Sequence, residues 1–452
     1  SSAASDVYKR QDIHEIDSKV TILICIYGEM NIVEIASGDF FSTYGGGQVY
    51  VKNFVDEMIR QRYSVQVISF VNKDCAVETG DYNGMTLYEV GRRGIESFES
   101  LIAQIRPDVI HAHSHKAQVV EIGKKQHIPV IVTAHHGGIV CPAGTLIDCK
   151  DEICHIAVSH EHCLACCLRN IRSGKYWYPF MRLLPQNVYR SLGRSLSKLP
   201  FVPFVPPIGQ AALSIERKQA EWHAIVDDCT RMIAPSRAIS EAIQRNGLSK
   251  EKIMILPHGI PLPKEVPDFP PVINGKIKFF YVGRICYVKG LHVLLEAFSR
   301  LDNENAELHL IGGTGNKGER RYEQTLRNRY ALDRRIVWHG KVSPQNIFEE
   351  MKSFHVAIHP TICLEIFGLN IAESLAMGKP VLATRCGGAE MQIEDGVNGW
   401  LVEPNNMEAL AEKMQEISDS FTNYNTHLST ERVISIEEHC KALIKLYETT
   451  AH

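Results

Sequence analysis

One rhythm, present twice, constrains this chain more than anything else in it. Short apolar runs are each followed by a longer stretch of helical period, on both sides of a Pro-rich break from Pro257 to Pro271. In the first half the runs are Lys19 to Tyr27, Ser64 to Phe70, Pro107 to His113 and Pro129 to Ala134. In the second they are Ile277 to Val282, Leu308 to Ile311, Val337 to Gly340 and Val356 to His359. Strands alternating with helices in this way predict parallel sheets covered by helices. At 452 residues the chain is also too long for one ordinary core. The expected class is α/β, with two domains joined at the Pro-rich break.

The densest chemistry lies between Glu365 and Glu373, which read E-I-F-G-L-N-I-A-E and lead into S-L-A-M-G-K-P-V-L-A-T. A carboxylate at a loop end, a Phe367-Gly368-Leu369 helix opening and a second carboxylate further along suit a polyol phosphate. Ionised Glu accepts hydrogen bonds from sugar hydroxyls, and the free N–H groups of a helix start favour phosphate oxygens. Two solvated Glu on an ordinary amphipathic helix would show the same bare spacing. Gly368, the small-residue run Ala372 to Gly378 and Pro380 ahead of an apolar strand favour the pocket. Upstream, Val282-Gly283-Arg284 ends an apolar run and Lys289-Gly290 opens a helical pattern. Arg presents a planar fork to phosphate and Lys a compact charge, although two surface cations after a strand are the plain alternative. In the first half, Tyr44-Gly45-Gly46-Gly47-Gln48 opens a helix with apolar Val51, Phe54, Val55, Met58 and Ile59. A glycine run lets backbone approach a ligand, but alone it is a weak signal.

Taken together, these segments resemble the family 4 retaining glycosyltransferases of the GT-B fold, over nearly the whole chain after Lys19 and most specifically from Arg284 to Gly399. The resemblance implies two Rossmann-like domains with parallel sheets facing across a cleft. The donor would be a nucleoside diphosphate sugar, UDP- or GDP-linked, with no catalytic metal required, and the acceptor a hydroxyl group on a glycan, a lipid-linked molecule or a small molecule. It assigns Arg284 and Lys289 to the donor diphosphate, Glu365 to sugar hydroxyls and Glu373 to the ribose. It also brings Gly46, Gly47, Gly283, Phe367, Gly368 and Leu369 to the donor, with Gly340 to Val342 as a base-contacting turn. His135 falls where the family has the His of T-x-H-D, which approaches the transferred sugar. Here His136 replaces the Asp, so whatever that Asp orients must be handled otherwise. His135, Glu365, Arg284 and Lys289 are the expected catalytic set. A GT-B sugar-nucleotide isomerase or hydrolase, or a non-catalytic sugar-nucleotide binder, is the alternative class.

His111, His113 and His115 alternate, as on one face of a strand. A zinc reading is set aside because no carboxylate or Cys partner stands nearby in sequence. Six of the 13 cysteines lie between Cys141 and Cys167, the last part as C-x-x-C at Cys163 and Cys166. Cys141, Cys154, Cys163 and Cys166 could hold a structural zinc, with an iron–sulfur cluster, a disulfide pair or buried thiols as alternatives. From His162 to Ile215 there is no Asp or Glu, while Arg169, Arg172, Lys175, Arg182, Arg190, Arg194 and Lys198 are interleaved with aromatics. That composition suits a membrane interface or a lipid-linked phosphate acceptor, or a helical hairpin with a solvated basic face.

Net charge is −3, so nothing global indicates nucleic acid, and no apolar run approaches the roughly 18 residues that cross a bilayer. Without a signal peptide at the start, the expected location is the cytoplasm, with peripheral contact at the inner membrane face as an extension. Ser1 to Gln11 resembles a translated sequencing adapter, so residues 1–11 are expected to be foreign and the native start missing. The organisation expected is 12–256 for the acceptor-side domain, carrying a Cys-rich insert at 141–167 and a basic aromatic insert at 168–215. Then come a linker at 257–275, a nucleotide-sugar domain at 276–425, and a C-terminal helix at 426–452 crossing back to the first domain.

Overall fold

The computed structural model describes residues 30–170, 207–421 and 433–451, apart from 37, 43, 44 and 275, together with the isolated positions 183, 185 and 188. Lys19 to Tyr27, the leader and most of the basic aromatic stretch, including Arg172, Lys175, Arg182, Arg190, Arg194 and Lys198, lie outside the described residues.

The first sheet has eight strands: β1 (Ile32–Ile35), β2 (Val65–Phe70), β3 (Val77–Tyr82), β4 (Met85–Val90), β5 (Val109–Ala112), β6 (Val130–Thr133), β7 (Arg231–Ala234) and β8 (Ile253–Ile255). Their order is β3-β4-β2-β1-β5-β6-β7-β8, and every pairing is parallel except β3 with β4. Strands β1, β5 and β6 are buried along their whole length, which is why they read as apolar runs without alternation. The second sheet comprises β9 (Lys278–Val282), β10 (Glu307–Ile311), β11 (Ile336–Gly340), β12 (Val356–His359), β13 (Val381–Thr384) and β14 (Gly399–Val402), in the order β11-β10-β9-β12-β13-β14 and parallel throughout. Both sheets are thus doubly wound. The strand order reverses beside β1 in one and β9 in the other, and a crevice opens at such a point at the carboxyl ends of the strands.

Some elements differ from the sequence reading. Ile32–Ile35, not among the apolar runs named above, is a central strand; its Glu34 interrupts the apolar run yet is fully buried. The hairpin β3–β4 was not foreseen, although Asn83-Gly84, both at positive φ, is the dipeptide a two-residue hairpin turn demands.

The chain passes between the domains twice, and the two passages lie side by side. Ile260 of the Pro-rich segment bridges Ser435, with Ile260 N–H on Ile434 O at 3.1 Å and Ile436 N–H on Ile260 O at 2.8 Å. Helix Ile436–Ala451 then packs on helix Gly46–Arg60 and the first sheet, burying Cys440, Leu443, Ile444 and Tyr447 with Val51, Phe54 and Met58. No described helix is long and apolar enough to cross a membrane.

Candidate active site

On the second sheet the site is built from the two loops that leave the crevice beside β9. Strand β9 ends at Gly283, whose carbonyl packs against Gly312 after β10; a Cβ on Gly312 would lie 1.8 Å from that oxygen. The two loops therefore touch backbone to backbone. Arg284 follows, 40 % exposed, with its Nε 3.8 Å from Glu319 Oε1. A 3-10 turn, Tyr287–Lys289, carries Lys289 to the start of helix Leu291–Ser299.

From β12 the chain supplies His359, Thr361 and Glu365. Lys289 Nζ and Glu365 Oε2 form an ion pair, with Thr361 Oγ1 at 3.5 Å and His359 Nε2 at 3.4 Å from the same oxygen. His359 is in turn held by Thr361 at 3.0 Å and by Asn370, which donates to Val282 O at 2.8 Å. Burial alone would raise the Glu365 carboxyl, but Lys289 and His359 hold it well below the usual carboxylate range. Burial would likewise lower Lys289, and Glu365 lifts it above its ordinary value instead. The sequence reading gave these two residues separate ligand partners; here each is the other's partner.

Gly368, at φ +86°, starts helix Leu369–Ala376. On that helix Glu373 has no hydrogen-bond or ion-pair partner among the described residues, and burial pushes its carboxyl up from 4.5 to about 7. Its neighbour Phe367 is buried with Ile260, Ala372 and Ala376, its ring 5.5 Å from that of His258. Gly340 ends β11 at φ +78° and gives its carbonyl to Gly312 N–H at 2.8 Å, while Val342 packs beside Ile311 and Ile347.

The first domain brings the glycine loop and His135 to the same crevice. A Cβ on Gly46 would lie 3.4 Å from Leu369 Cδ1, so the loop already meets the donor-side helix. One on Gly47 would lie 3.3 Å from His135 Cγ. His135 Nε2 is 2.7 Å from His113 Nδ1, and His113 Nε2 is 2.8 Å from Glu34 Oε2. A carboxylate remote in sequence thus stands beside the histidines in space: Glu34, His111 and His113 have ligand atoms within 4.8 Å of one another. His115 is elsewhere, stacked on Phe70 at 3.7 Å. Neither Glu34 nor the linker's His258, whose ring lies 5.3 Å from that of His135, was foreseen as part of the site. Glu34 carried one signal, an acid inside an apolar run.

The Cys-rich segment crosses the crevice. Asp151 pairs with Arg169 and accepts from Tyr287 Oη at 3.2 Å, and the Arg169 guanidinium lies 5.1 Å from the Tyr287 ring centre. Between this segment and the Tyr287 turn is a cavity of about 490 Å³, lined by Ala143, Thr145, Asp148, Asn170, Tyr287 and Val288 among others. Every described cysteine is a free thiol. Among the described residues, Cys141, Cys154, Cys163 and Cys166 do not gather within that same ligand distance, and Cys166 on helix His160–Asn170 is engaged by Cys149. The zinc expectation is left resting on sequence spacing alone.

Two family models match the chain, "Glycosyl transferases group 1" over residues 265–428 and "Glycosyltransferase Family 4" over 44–146. Between them they take in both loops of the second-domain crevice, the glycine loop and His135. The chain belongs to this glycosyltransferase family. Among curated relatives of this family member, a D-inositol 3-phosphate glycosyltransferase of Arthrobacter sp. (strain FB24) is 29 % identical over 208 residues, which is 43 % of this chain and 49 % of the relative. The chain spans half or less of the length of the first curated relatives it matches. Among solved structures, sucrose-phosphate synthase from Thermosynechococcus elongatus superposes with a TM-score of 0.65 at 19 % identity, covering 93 % of this chain and 99 % of the other. Anabaena Alr3699/HepE in complex with UDP and glucose gives 0.61 at 15 %, covering 93 % and 100 %. These likenesses make the fold GT-B.

Proposed function

We propose that this glycosyltransferase family member moves a sugar, with retention, from a nucleoside diphosphate donor to a hydroxyl acceptor by front-face displacement. The observation that carries this reading is Glu373, a partly buried carboxyl without a protein partner, on the helix that follows the Lys289–Glu365 pair. A ribose diol would give it the two hydroxyl donors it lacks. Arg284 and Lys289 would then face the diphosphate, and Glu365, released from Lys289, the sugar hydroxyls. As the bond to the sugar breaks, negative charge grows on the diphosphate, which can take the acceptor proton on the same face. Fixed cations and N–H groups at that point are each worth a few kcal/mol. The acceptor enters from the first domain through the cavity beside Tyr287, whose volume lies within the ordinary range for ligand sites. A UDP-sugar is the first donor to try, because the Anabaena neighbour is in complex with UDP and glucose.

Glu373→Gln keeps the shape and removes the charge. Calorimetry with UDP or GDP should show nucleotide affinity falling about tenfold, since a charge-assisted bond contributes roughly 1.5–3 kcal/mol; unchanged affinity removes Glu373 from the site. The same variant has a pH signature. A carboxyl raised from 4.5 to about 7 on folding makes the folded state bind the proton more tightly, so its contribution to stability falls as pH rises between those values and is flat above. Thermal melts of wild type should show that decline, and Glu373→Gln should lack it.

Filling the cavity separates acceptor from donor. Thr145→Trp should raise the acceptor KM by roughly tenfold or more, the cost of excluding a few methylene-sized contacts at about 0.8 kcal/mol each, while slow donor hydrolysis stays within twofold. Equal losses in both would place the acceptor elsewhere.

A further inference from the structure

The first domain holds a chain of buried polar groups that ends at His135, and its proton directions can be counted from one end. Glu34 is fully buried at the middle of β1. Its Oε1 accepts from Tyr447 Oη at 2.8 Å, and its Oε2 lies 2.8 Å from His113 Nε2. Tyr447 Oη, having given its proton to Glu34, takes one from His111 Nδ1 at 2.6 Å, and His111 Nε2 faces Thr133 Oγ1 at 2.6 Å. With Glu34 taken as a carboxylate, which only accepts, His113 carries its proton on Nε2. Burial holds the imidazoles of His113 and His135 well below their ordinary pKa, hence neutral. His113 Nδ1 is therefore a bare lone pair, and the proton on the 2.7 Å bond to His135 belongs to His135 Nε2. That leaves His135 Nδ1 as an acceptor. It is buried with no partner among the described residues, on the side of the ring where Gly47 approaches.

We propose that Glu34 and His113 are positioning residues that fix His135 as the Nε2–H tautomer, so that its Nδ1 presents a bare lone pair to a hydroxyl of the bound donor sugar. The proposal rests on the reading of the crevice as a donor site, and deepens it by giving His135 one role, acceptor, and excluding the other. It also accounts for the missing Asp: with His136 in that place, the orientation of His135 comes from inside the sheet. The same three groups, Glu34, His111 and His113, could in geometry hold a cation. Their ligand atoms are instead all engaged by hydrogen-bond partners of the network, which a metal would have to displace.

The test separates tautomer from turnover. In ligand-free protein with 15N-labelled imidazoles, the His135 signals, assigned by their loss in His135→Gln, should show a protonated Nε2 and a bare Nδ1. His113→Asn sets an amide oxygen near the place of Nδ1 and should keep that pattern. His113→Phe offers no acceptor, and the His135 proton should become distributed over both nitrogens. With UDP-glucose, UDP-galactose and GDP-mannose as probes, kcat/KM for whichever donor is hydrolysed should fall roughly ten- to hundredfold in His113→Phe and stay within about threefold in His113→Asn. A His135 protonated on Nδ1 in wild type overturns the proposal, as do equal losses in the two variants. So does about one metal ion per chain that is lost in His111→Asn. If His113→Phe does not fold, the wild-type tautomer and its retention in His113→Asn decide. A bare Nδ1 with no donor turned over would sink the donor reading and leave the positioning intact.

Discussion

Lys289→Ala should reduce sugar transfer by about 10²–10³-fold, the range seen when one fixed group that stabilises developing negative charge is removed. It should also lower the melting temperature, for a reason specific to this site. Glu365 is held ionised by Lys289 against a burial that would otherwise raise it, and breaking such a pair costs about 3–5 kcal/mol because the remaining charge is left without its partner. Activity and stability would then fall together and could be confused. The double variant Lys289→Met with Glu365→Gln removes both charges, so it should recover most of the stability and none of the activity. Arg284→Ala, at a residue 40 % exposed, should lose most activity at little cost to the fold. Near-wild-type kcat/KM in either single variant would show that the cations do not face the leaving group.

Gly290→Ala should have a large effect on stability for a single methyl added to the crevice. Gly290 has φ +71°, and a Cβ there would lie 1.8 Å from Pro360 O, a backbone atom with no side chain to swing aside. The left-handed conformation alone costs a side chain roughly 1–2 kcal/mol. Relieving the contact must also part the Lys289 turn from the loop that leaves β12, where Ile362 N–H is bonded to Val288 O at 3.0 Å. Thermal melts should fall by more than about 5 °C, at roughly 2–4 °C per kcal/mol for a large domain, with nucleotide affinity lost in parallel. A Gly290→Ala protein with wild-type melting and binding would mean that these two loops yield freely.

Much of this was legible in the sequence because parallel strands buried on both faces leave continuous apolar runs. Strands β5, β6, β9, β10 and β12 were read within a residue or two on that basis, as were β2 and β11 from shorter or alternating runs. Strand β1 was missed because Glu34 breaks its run, and an acid inside a strand reads as solvent-facing unless its partners are known. Those partners, His113 and Tyr447, are 79 and 413 positions away. The Lys289–Glu365 pair was missed for a related reason: both residues were singled out, but a motif gives each a ligand and cannot show that two motifs meet. The same holds for Phe367, to which the motif gives the donor but whose ring packs against the linker's His258.

The bond between Tyr447 and Glu34 also sets an order of events during synthesis. Glu34 sits in the first described strand, and its hydroxyl donor lies 413 residues downstream. At about 5–20 residues per second, the ribosome needs roughly 20–80 s to make that stretch. Through that interval the first sheet can form its parallel core, but it must do so around a carboxylate short of one donor and with Val51, Phe54 and Met58 uncovered by helix Ile436–Ala451. The domain that begins first is therefore finished last, which makes it the part of this chain most exposed to chaperones before release.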